Sequence, residues 1–542
     1  MSPASGLSAL IVQLRDDLAF RRLRQGMATL VSHRELILSL EPGVRNTGVL
    51  LGLVAQWVDA GFDRPDLIRQ LLRRYDGPSR ASLPLTDYLH VRMAEGMLSM
   101  AEEEFDAALL HFRFIHSLEH EQADQPELLA ISNFWAARCL RRTGRYDDAL
   151  SYAVRGREIA LSRGFEPMAA IMQVLESWLA FQKGRLKEAA CLLQQAESVL
   201  RDTDDYVSRG NIQSAYGRIA RRQGSYEQAL HHFECSIAEY VRRDPRHLNV
   251  ARSLVNIAFV ERLAALRAQR EIDRESAVRR RDAVERATPD TRARRAQVES
   301  RRISARRHLD EALEIYARHQ HHHGIGSVSI NSGLLHLDSG DLESASGEAA
   351  ESYRQGEEKH DSITMARARI LQCTIENARL EEQIGGDPAE HAQLAARFAQ
   401  EAVDHARKTQ NRRLLARACV WQGLSYAGDY LQNRDEALRC LNEARTLLKT
   451  GGHDREPEWD DLAALDAKLR GGGGIDETLR EWSQGITGDK SFQQITDEFA
   501  AVIIPKVWER EERKVSRVAV RLAISPKKVR RILIAAGLLR RG

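Results

Sequence analysis

The strongest constraint on this chain is a pattern that returns every forty residues in its middle. The pattern combines a glycine with an alanine five residues later. The pairs are Gly144 and Ala149, Gly184 and Ala189, and Gly224 and Ala229. A repeat of this length is one supersecondary unit that cannot bury its apolar face alone, so neighbouring units must stack. The chain is also poor in proline and rich in helix-favouring residues, which predicts an all-α solenoid.

Related segments extend the pattern in both directions, around Ala108 and around Ala345 and Ala437. These units resemble tetratricopeptide repeats (TPR), which are pairs of antiparallel helices. The resemblance implies that the glycine ends the first helix and that the alanine lets the second helix approach it closely. Small residues also recur in the first helix, at Gly96, Ala137, Ser177, Gly217 and Gly333. The family unit usually has about 34 residues, so the longer period predicts helices about a turn longer.

Pattern and composition divide the chain into regions. These are a helical capping region at 1–80, a TPR-like array at 81–460 with a charged helical insertion at 261–307, a Gly-rich linker region at 461–490, and a small DNA-binding domain at 491–542. The linker is centred on the four glycines at 471–474, which have no side chains to pack. The insertion predicts two long helices joined near Thr288 and Pro289. Its clustered arginines are consistent with an arm that contacts DNA or a partner, but a charge run is usually a solvated charged hairpin or a disordered loop.

The last fifty residues predict two short helices joined by a turn. The first spans Val515–Leu522. The second begins at Pro526, with Ser525 as its N-cap, and ends at the left-handed residue Gly537. Apolar residues are expected to face inward from both helices, at Val518, Ala519, Leu522, Val529, Ile532 and Leu533. Cations near the start of the second helix are typical of a recognition helix, whose N-terminal half enters the major groove of DNA.

This segment resembles the Fis-type helix-turn-helix at the C-termini of many bacterial transcription regulators. The resemblance rests on Val515-Ser516-Arg517, on Leu522-Ala523-Ile524-Ser525 and on Gly537-Leu538. It implies that a group of basic and polar side chains contacts double-stranded DNA. The group is Arg517, Ser525, Lys527, Lys528, Arg530 and Arg531. The chain departs from the family in two places, because Ala523 replaces the turn glycine and Pro526 replaces a common arginine.

An apolar stripe precedes this motif at Ile495, Phe499, Val502 and Ile503. In the Fis-type family such upstream helices often pair two protomers, which implies a possible homodimer through the C-terminal unit. The alternative is that the stripe packs on the motif within one subunit. Pro505 is expected to break or restart this helix before Trp508.

The sequence carries no Gly-x-x-x-x-Gly-Lys-Ser/Thr loop and no dinucleotide fingerprint, so we expect no enzymatic activity and no cofactor. Six cysteines lie scattered without paired spacing, which is typical of reduced core residues. The run His319–His323 is expected to be a solvated loop at a helix end and not a metal site. Glu102–Glu104 is expected to be an ordinary acidic turn.

The net charge of the chain is only +3, so its positive charge is concentrated locally, as a DNA-docking module requires. No apolar stretch approaches the roughly 18 residues of a membrane span. We therefore predict a cytoplasmic, nucleoid-associated transcription regulator with no membrane partner. Its array would bind a protein, a peptide on the concave surface, or a small ligand, and its tail would bind DNA. The alternative is a non-enzymatic TPR scaffold that assembles protein partners, with a basic tail that lacks specific DNA recognition.

Overall fold

The helical class predicted from the sequence is confirmed by the structure, a computed structural model. It describes residues 3–39, 41–42, 44–60, 64–118, 125–281, 289–448, 457–471, 491–511, 513–535 and 537–539. Within those ranges the chain forms helices and turns and no strand. It divides into two compact units, Met1–Leu462 and Ala463–Gly542. Three of the predicted linker glycines, at 472–474, lie outside the described residues.

Six helices form the N-terminal part of the first unit. They are α1 Pro3–Ala19, α2 Leu23–Ser32, α3 Arg34–Leu38, α4 Thr47–Ala60, α5 Pro65–Leu72 and α6 Gly77–Ala81. The repeat pairs follow them. They are α7 Leu85–Ala101 with α8 Phe105–Ser117, α9 Pro126–Arg142 with α10 Tyr146–Ser162, α11 Glu166–Gln182 with α12 Leu186–Leu200, α13 Tyr206–Arg222 with α14 Tyr226–Val241, α15 Leu248–Arg281 with α16 Pro289–Arg318, α17 His322–Asp338 with α18 Leu342–Glu358, α19 Ser362–Glu382 with α20 Pro388–Arg407, and α21 Arg412–Tyr426 with α22 Arg434–Leu448. Helix α23, Pro457–Gly471, comes next.

The recurrent glycines end the first helices of their own pairs, as the repeat pattern predicts. Gly144, Gly184 and Gly224 have φ values of +81°, +80° and +77°. Glycine adopts this left-handed conformation without the steric cost that a Cβ atom brings. The backbone then turns directly into the second helix, which begins two residues after each of these glycines.

Small residues set the distance between the paired helices. Ala149, Ala189 and Ala229 are fully buried. A Cβ atom added to Gly217 would lie 2.8 Å from a ring carbon of Phe233 in the partner helix. At the same position of the preceding pair, the Ser177 hydroxyl donates a hydrogen bond of 2.9 Å to the Ala189 carbonyl. The spacing of small residues in the sequence therefore marks the real contact between α11 and α12 and between α13 and α14.

Replacing Ala189 by leucine is expected to overpack this contact. The side chain has no free space at its position, so the free energy of unfolding should fall by roughly 1–3 kcal/mol. Replacing the nearby exposed Lys187 by leucine is the matched control, because it adds apolar volume to the same helix on its outer face. Urea denaturation measures both variants. Equal stabilities of the Ala189→Leu variant and the wild type would show that the helix register is wrong.

The charged insertion extends one repeat pair. Helices α15 and α16 pack against each other and bury a small core of Ala265, Ile272 and Val298. The Arg294 guanidinium lies 2.9 Å from the Glu275 carboxylate on the facing helix. The two long predicted helices are therefore present, and the predicted junction near Thr288 lies outside the described residues.

The second unit contains three described helices after the end of α23. They are α24 Phe492–Arg510, α25 Val515–Arg521 and α26 Pro526–Ala535. Their buried core consists of Ile504, Trp508, Val518, Ala519, Val529, Ile532 and Leu533. The predicted break at Pro505 is wrong, because α24 runs through this residue without interruption. Ile504 and Trp508, on either side of the proline, both pack into the core, and this packing holds the helix together.

Candidate functional site

Helix α26 has two faces of opposite character. Val529, Ile532 and Leu533 are buried against α24 and α25. Lys527, Arg530 and Arg531 are exposed on the other side of the helix, where the spacing i, i+3, i+4 places them on one face. Lys528 lies between the two faces and is half-buried. Arg517 is exposed on α25, so each predicted cation reaches the surface of this unit.

The turn before α26 fixes where this basic face begins. The Ser525 hydroxyl accepts a hydrogen bond of 3.2 Å from the Lys528 amide, which confirms the predicted N-cap. Ala523 has φ +52°, so the residue that replaces the family glycine accepts the left-handed conformation despite its Cβ atom. At the other end of α26, Gly537 has φ +72°, as the sequence predicts.

One predicted cation already has an acidic neighbour. The Arg531 guanidinium lies 3.7 Å from the Asp497 carboxylate of α24. Because the Arg531 side chain is 68% exposed, this long ion pair is weak and can exchange for a stronger anion. Lys527, Arg530 and Arg531 therefore share one face of α26, and Arg531 is the one that lies beside α24.

A second candidate site lies inside the array. The first helices of the repeat pairs supply most of the lining of a cavity of about 990 Å³, and Phe105 of α8 and Tyr146 of α10 also line it. Among the residues that the structure describes, fourteen cationic side chains and four carboxylates line this cavity. The arginines are Arg21, Arg69, Arg138, Arg141, Arg142, Arg218, Arg221, Arg222, Arg243, Arg252, Arg367, Arg413 and Arg417, and Lys359 completes the set. The sequence predicted a partner on the concave surface of the array, but it did not single out these arginines.

Aromatic rings hold several of these arginines in place. The guanidinium carbon of Arg222 lies 3.9 Å from the centre of the Phe181 ring. The guanidinium of Arg141 lies 5.0 Å from the Trp178 ring. Such cation–π contacts fix a guanidinium without neutralising its charge. The cavity is therefore lined by positioned charges and not by freely moving surface side chains.

The cationic side chains that line the cavity repel one another. Burial, reinforced by the neighbouring charges of Arg138 and Arg252, holds the pKa of the Arg141 guanidinium well below its usual range. Burial also lowers the pKa of Arg218 and of Arg367 to about 10. All three pKa values are lowered for the same reason, because keeping a buried cation ionised among like charges costs free energy.

Contacts between distant parts of the chain close the wall of the cavity. The buried ion pair between Arg21 and Asp205, at 2.7 Å, joins residues 184 positions apart. The Asn411 amide donates to the Tyr146 hydroxyl across 265 positions, at 3.2 Å. The array therefore winds far enough for turns of the superhelix to touch.

Glu103 is the centre of a third such contact. Its carboxylate accepts from the His322 amide at 2.8 Å and lies 3.3 Å from Arg142 and 3.4 Å from the His321 ring. Glu103 is buried, and its φ of +60° is left-handed. It occupies the turn position that glycine holds in the next three repeats.

Two predictions are thereby corrected. Glu102–Glu104 is not an ordinary acidic turn, because Glu103 connects separate repeats. The histidine run is not a solvated loop, because His319–His323 line the cavity and α17 begins at His322. Burial lowers the pKa of His321 well below its usual value. In the described part of the chain, no three His, Cys, Asp or Glu side chains form a group that could hold a metal ion.

A signal for the cavity is present in the sequence. Arginines recur eighty residues apart in the first helices, at Arg138 and Arg218, Arg141 and Arg221, and Arg142 and Arg222. Residues at the same repeat position face the same way in a solenoid. The repeated arginines therefore indicate a common basic surface, which becomes visible once the repeats are aligned with each other.

Comparison with known proteins identifies the fold. No protein-family model matches the chain, and no curated protein matches it. The structure is similar to that of a Rap protein solved with competence and sporulation factor, with a TM-score of 0.51 and 13% identity, covering 74% of this chain and 98% of that one. It is also similar to the apo quorum sensor NprR from B. thuringiensis, with a TM-score of 0.47 and 12% identity, covering 74% of this chain and 99% of that one. At these identities the likeness shows the TPR-like helical-repeat fold alone.

Among the helices that the structure describes, none combines the length and the apolar character that a membrane-spanning helix needs.

Proposed function

We propose that this protein is a non-enzymatic transcription regulator, in which the C-terminal unit binds double-stranded DNA as a Fis-type helix-turn-helix. The observation that carries the proposal is the exposed face of Lys527, Arg530 and Arg531 on α26. These cations lie near the N-terminal half of a short helix whose opposite side is fully packed. That is the arrangement a helix needs in order to enter the major groove while phosphates flank it.

In this proposal the array binds the molecule that acts as the signal. Its concave surface encloses a cavity large enough for a ligand, since small-molecule sites typically measure about 300–1,000 Å³. A protein, a peptide or a small ligand on this surface would change how the DNA-binding unit is presented or how two chains associate. A regulator of this type acts on the nucleoid in the cytoplasm.

Duplex binding by the intact chain tests the proposal. Fluorescence polarisation with labelled duplexes, including fragments of the source genome, should find a preferred sequence and an affinity that falls steeply as salt rises, because bound cations release counterions from DNA. Binding without sequence preference, or no binding at all, would contradict the proposal. Either result would favour the alternative of a scaffold that assembles protein partners.

We further propose that two C-terminal units pair through α24. Phe492 and Phe499 are 84% and 44% exposed, and their spacing of seven residues places them on one side of the helix. The core of the unit uses other positions of α24, among them Ile504 and Trp508. An apolar face outside the core is a suitable surface for a second copy, and a dimer would read two half-sites.

Replacing Phe499 by aspartate should therefore convert the intact protein from dimer to monomer and weaken duplex binding by roughly tenfold or more. Replacing Leu438 in the array, which is 37% exposed, by aspartate is the control. Light scattering measures the mass of both variants. A wild-type protein that is monomeric both free and on DNA would exclude the pairing.

A further inference from the structure

The described lining of the cavity in the array has an excess of cationic side chains. Fourteen cationic side chains face four carboxylates, Glu102, Glu103, Asp244 and Glu458. Glu103 is already paired with Arg142, and Glu458 lies 3.2 Å from Arg413. Glu102 is paired with Arg69, and Arg21 and Lys359 are paired with Asp205 and Glu104. The cations among the described lining residues still outnumber the carboxylates.

Three arginines illustrate this excess most clearly. Among the residues that the structure describes, no salt bridge joins Arg141, Arg252 or Arg367 to a carboxylate. Arg141 packs on the Trp178 ring, and its Nε atom is buried without a hydrogen-bond partner. The Trp178 ring attracts this guanidinium but does not replace the hydrogen bonds that the buried Nε atom loses to desolvation. An anion bound beside these arginines would therefore stabilise the cavity.

The chemistry of the cations narrows the class of anion. The excess consists of arginines, whose planar guanidinium groups bind the oxygens of phosphates in a bidentate manner. Arg138, Arg142, Arg218 and Arg252 lie near enough to Arg141 for their charges to act on it. A ligand that satisfies this cluster must concentrate several negative charges within a short distance.

An acidic peptide meets this requirement poorly. In an extended chain, side chains on the same face are spaced by about 7 Å, and each carboxylate carries a single charge. Linked phosphates place several charged oxygens on adjacent phosphorus atoms. A volume of about 990 Å³ also fits a small molecule and not a folded partner.

We propose that the cavity enclosed by the array binds a small ligand with linked phosphate groups, such as an inorganic oligophosphate or a nucleoside polyphosphate. The inference rests on the proposed sensing role of the array and names the class of its ligand. Arg141 and Arg367 would bind phosphate oxygens directly.

Calorimetric titration of the full chain tests this inference. Tripolyphosphate, ATP and GTP are the probes, and a glutamate-rich peptide and a single-stranded oligonucleotide without a 5′-polyphosphate are the competing ligands. We expect at least one phosphate probe to bind with a Kd in the micromolar range and to raise the melting temperature. Similar affinities for tripolyphosphate and ATP would assign recognition to the phosphate chain. An affinity for ATP or GTP at least tenfold higher than that for tripolyphosphate would show that the cavity also recognises the nucleoside.

Two pairs of variants locate the binding. Arg141→Gln and Arg367→Gln should each weaken binding at least tenfold. They should leave the melting temperature of the empty protein unchanged or raised, because each removes a cation from a like-charged cluster. Arg185→Gln, on the exposed outer surface of the array, should bind as the wild type does. The triple variant Lys527→Ala, Arg530→Ala, Arg531→Ala should also retain binding, which separates this site from the proposed DNA-binding face.

Three results would overturn the inference. One is the absence of binding by every phosphate probe at millimolar concentration. Another is tighter binding of the acidic peptide or of the oligonucleotide. The third is wild-type affinity in both arginine variants. The proposed function is tested separately, because the duplex affinity of the protein is measured without any phosphate probe. None of these three results would change that affinity.

Discussion

Replacing Lys527, Arg530 and Arg531 together by alanine is expected to lower the duplex affinity of the intact protein on the order of a hundredfold or more. Each lost phosphate contact weakens binding and reduces its salt dependence, and a lost base contact costs about 1–3 kcal/mol. The three side chains are exposed on α26 and contribute nothing to its core, so the fold should be unchanged. Fluorescence polarisation at two salt concentrations measures the loss and the change in slope.

A matched control separates this surface from the overall charge of the protein. The variant Arg185→Ala, Lys187→Ala, Arg397→Ala removes the same number and kinds of cation from exposed positions of the array. It should bind DNA as the wild type does, because the Debye length at physiological salt is only about 8 Å. An equal loss of affinity in both triple variants would mean that the protein attracts DNA through its general charge and not through α26.

Replacing Glu103 by glutamine should have the largest effect on the stability of the array. The buried carboxylate neutralises Arg142 and accepts from the His322 amide. Its loss leaves a half-buried arginine among like charges, so the free energy of unfolding should fall by about 2–3 kcal/mol. Guanidinium denaturation of the full chain measures the change. Glu104→Gln is the control, because Glu104 is 58% exposed where it pairs with Lys359, and its effect should stay within about 0.5 kcal/mol.

The variant Glu103→Gly distinguishes the carboxylate from the backbone. Glycine removes the strain of the left-handed φ of +60°, which is worth up to roughly 1 kcal/mol. If the carboxylate holds the turns of the superhelix together, this variant must still be less stable than the wild type. A gain in stability on introducing the glycine of the later repeats would contradict the role given to Glu103.

The sequence predicted the features that depend on neighbouring residues. The turn glycines, the close-packed alanines and the cap at Ser525 all follow from local geometry, and the structure confirms each of them. The continuous helix through Pro505 shows where local reasoning fails. There the packing of Ile504 and Trp508 in the core outweighs the loss of one backbone hydrogen bond.

The features that were missed depend on how the array closes in space. Nothing near Glu103 in the sequence indicates that His322, 219 residues away, supplies its hydrogen bond. The cavity likewise forms only when first helices of many repeats curve around a common axis. The recurring arginines were visible, but the direction in which they point depends on that curvature.

Mapping the DNA bound by the intact protein across its source genome tests the central claim most directly. The protein should be enriched at discrete sites that share a sequence motif, and the Lys527, Arg530 and Arg531 triple variant, expressed at the same level, should lose this enrichment. An even distribution of the wild-type protein along the genome, or an unchanged map for the triple variant, would contradict the assignment of this protein as a DNA-binding regulator.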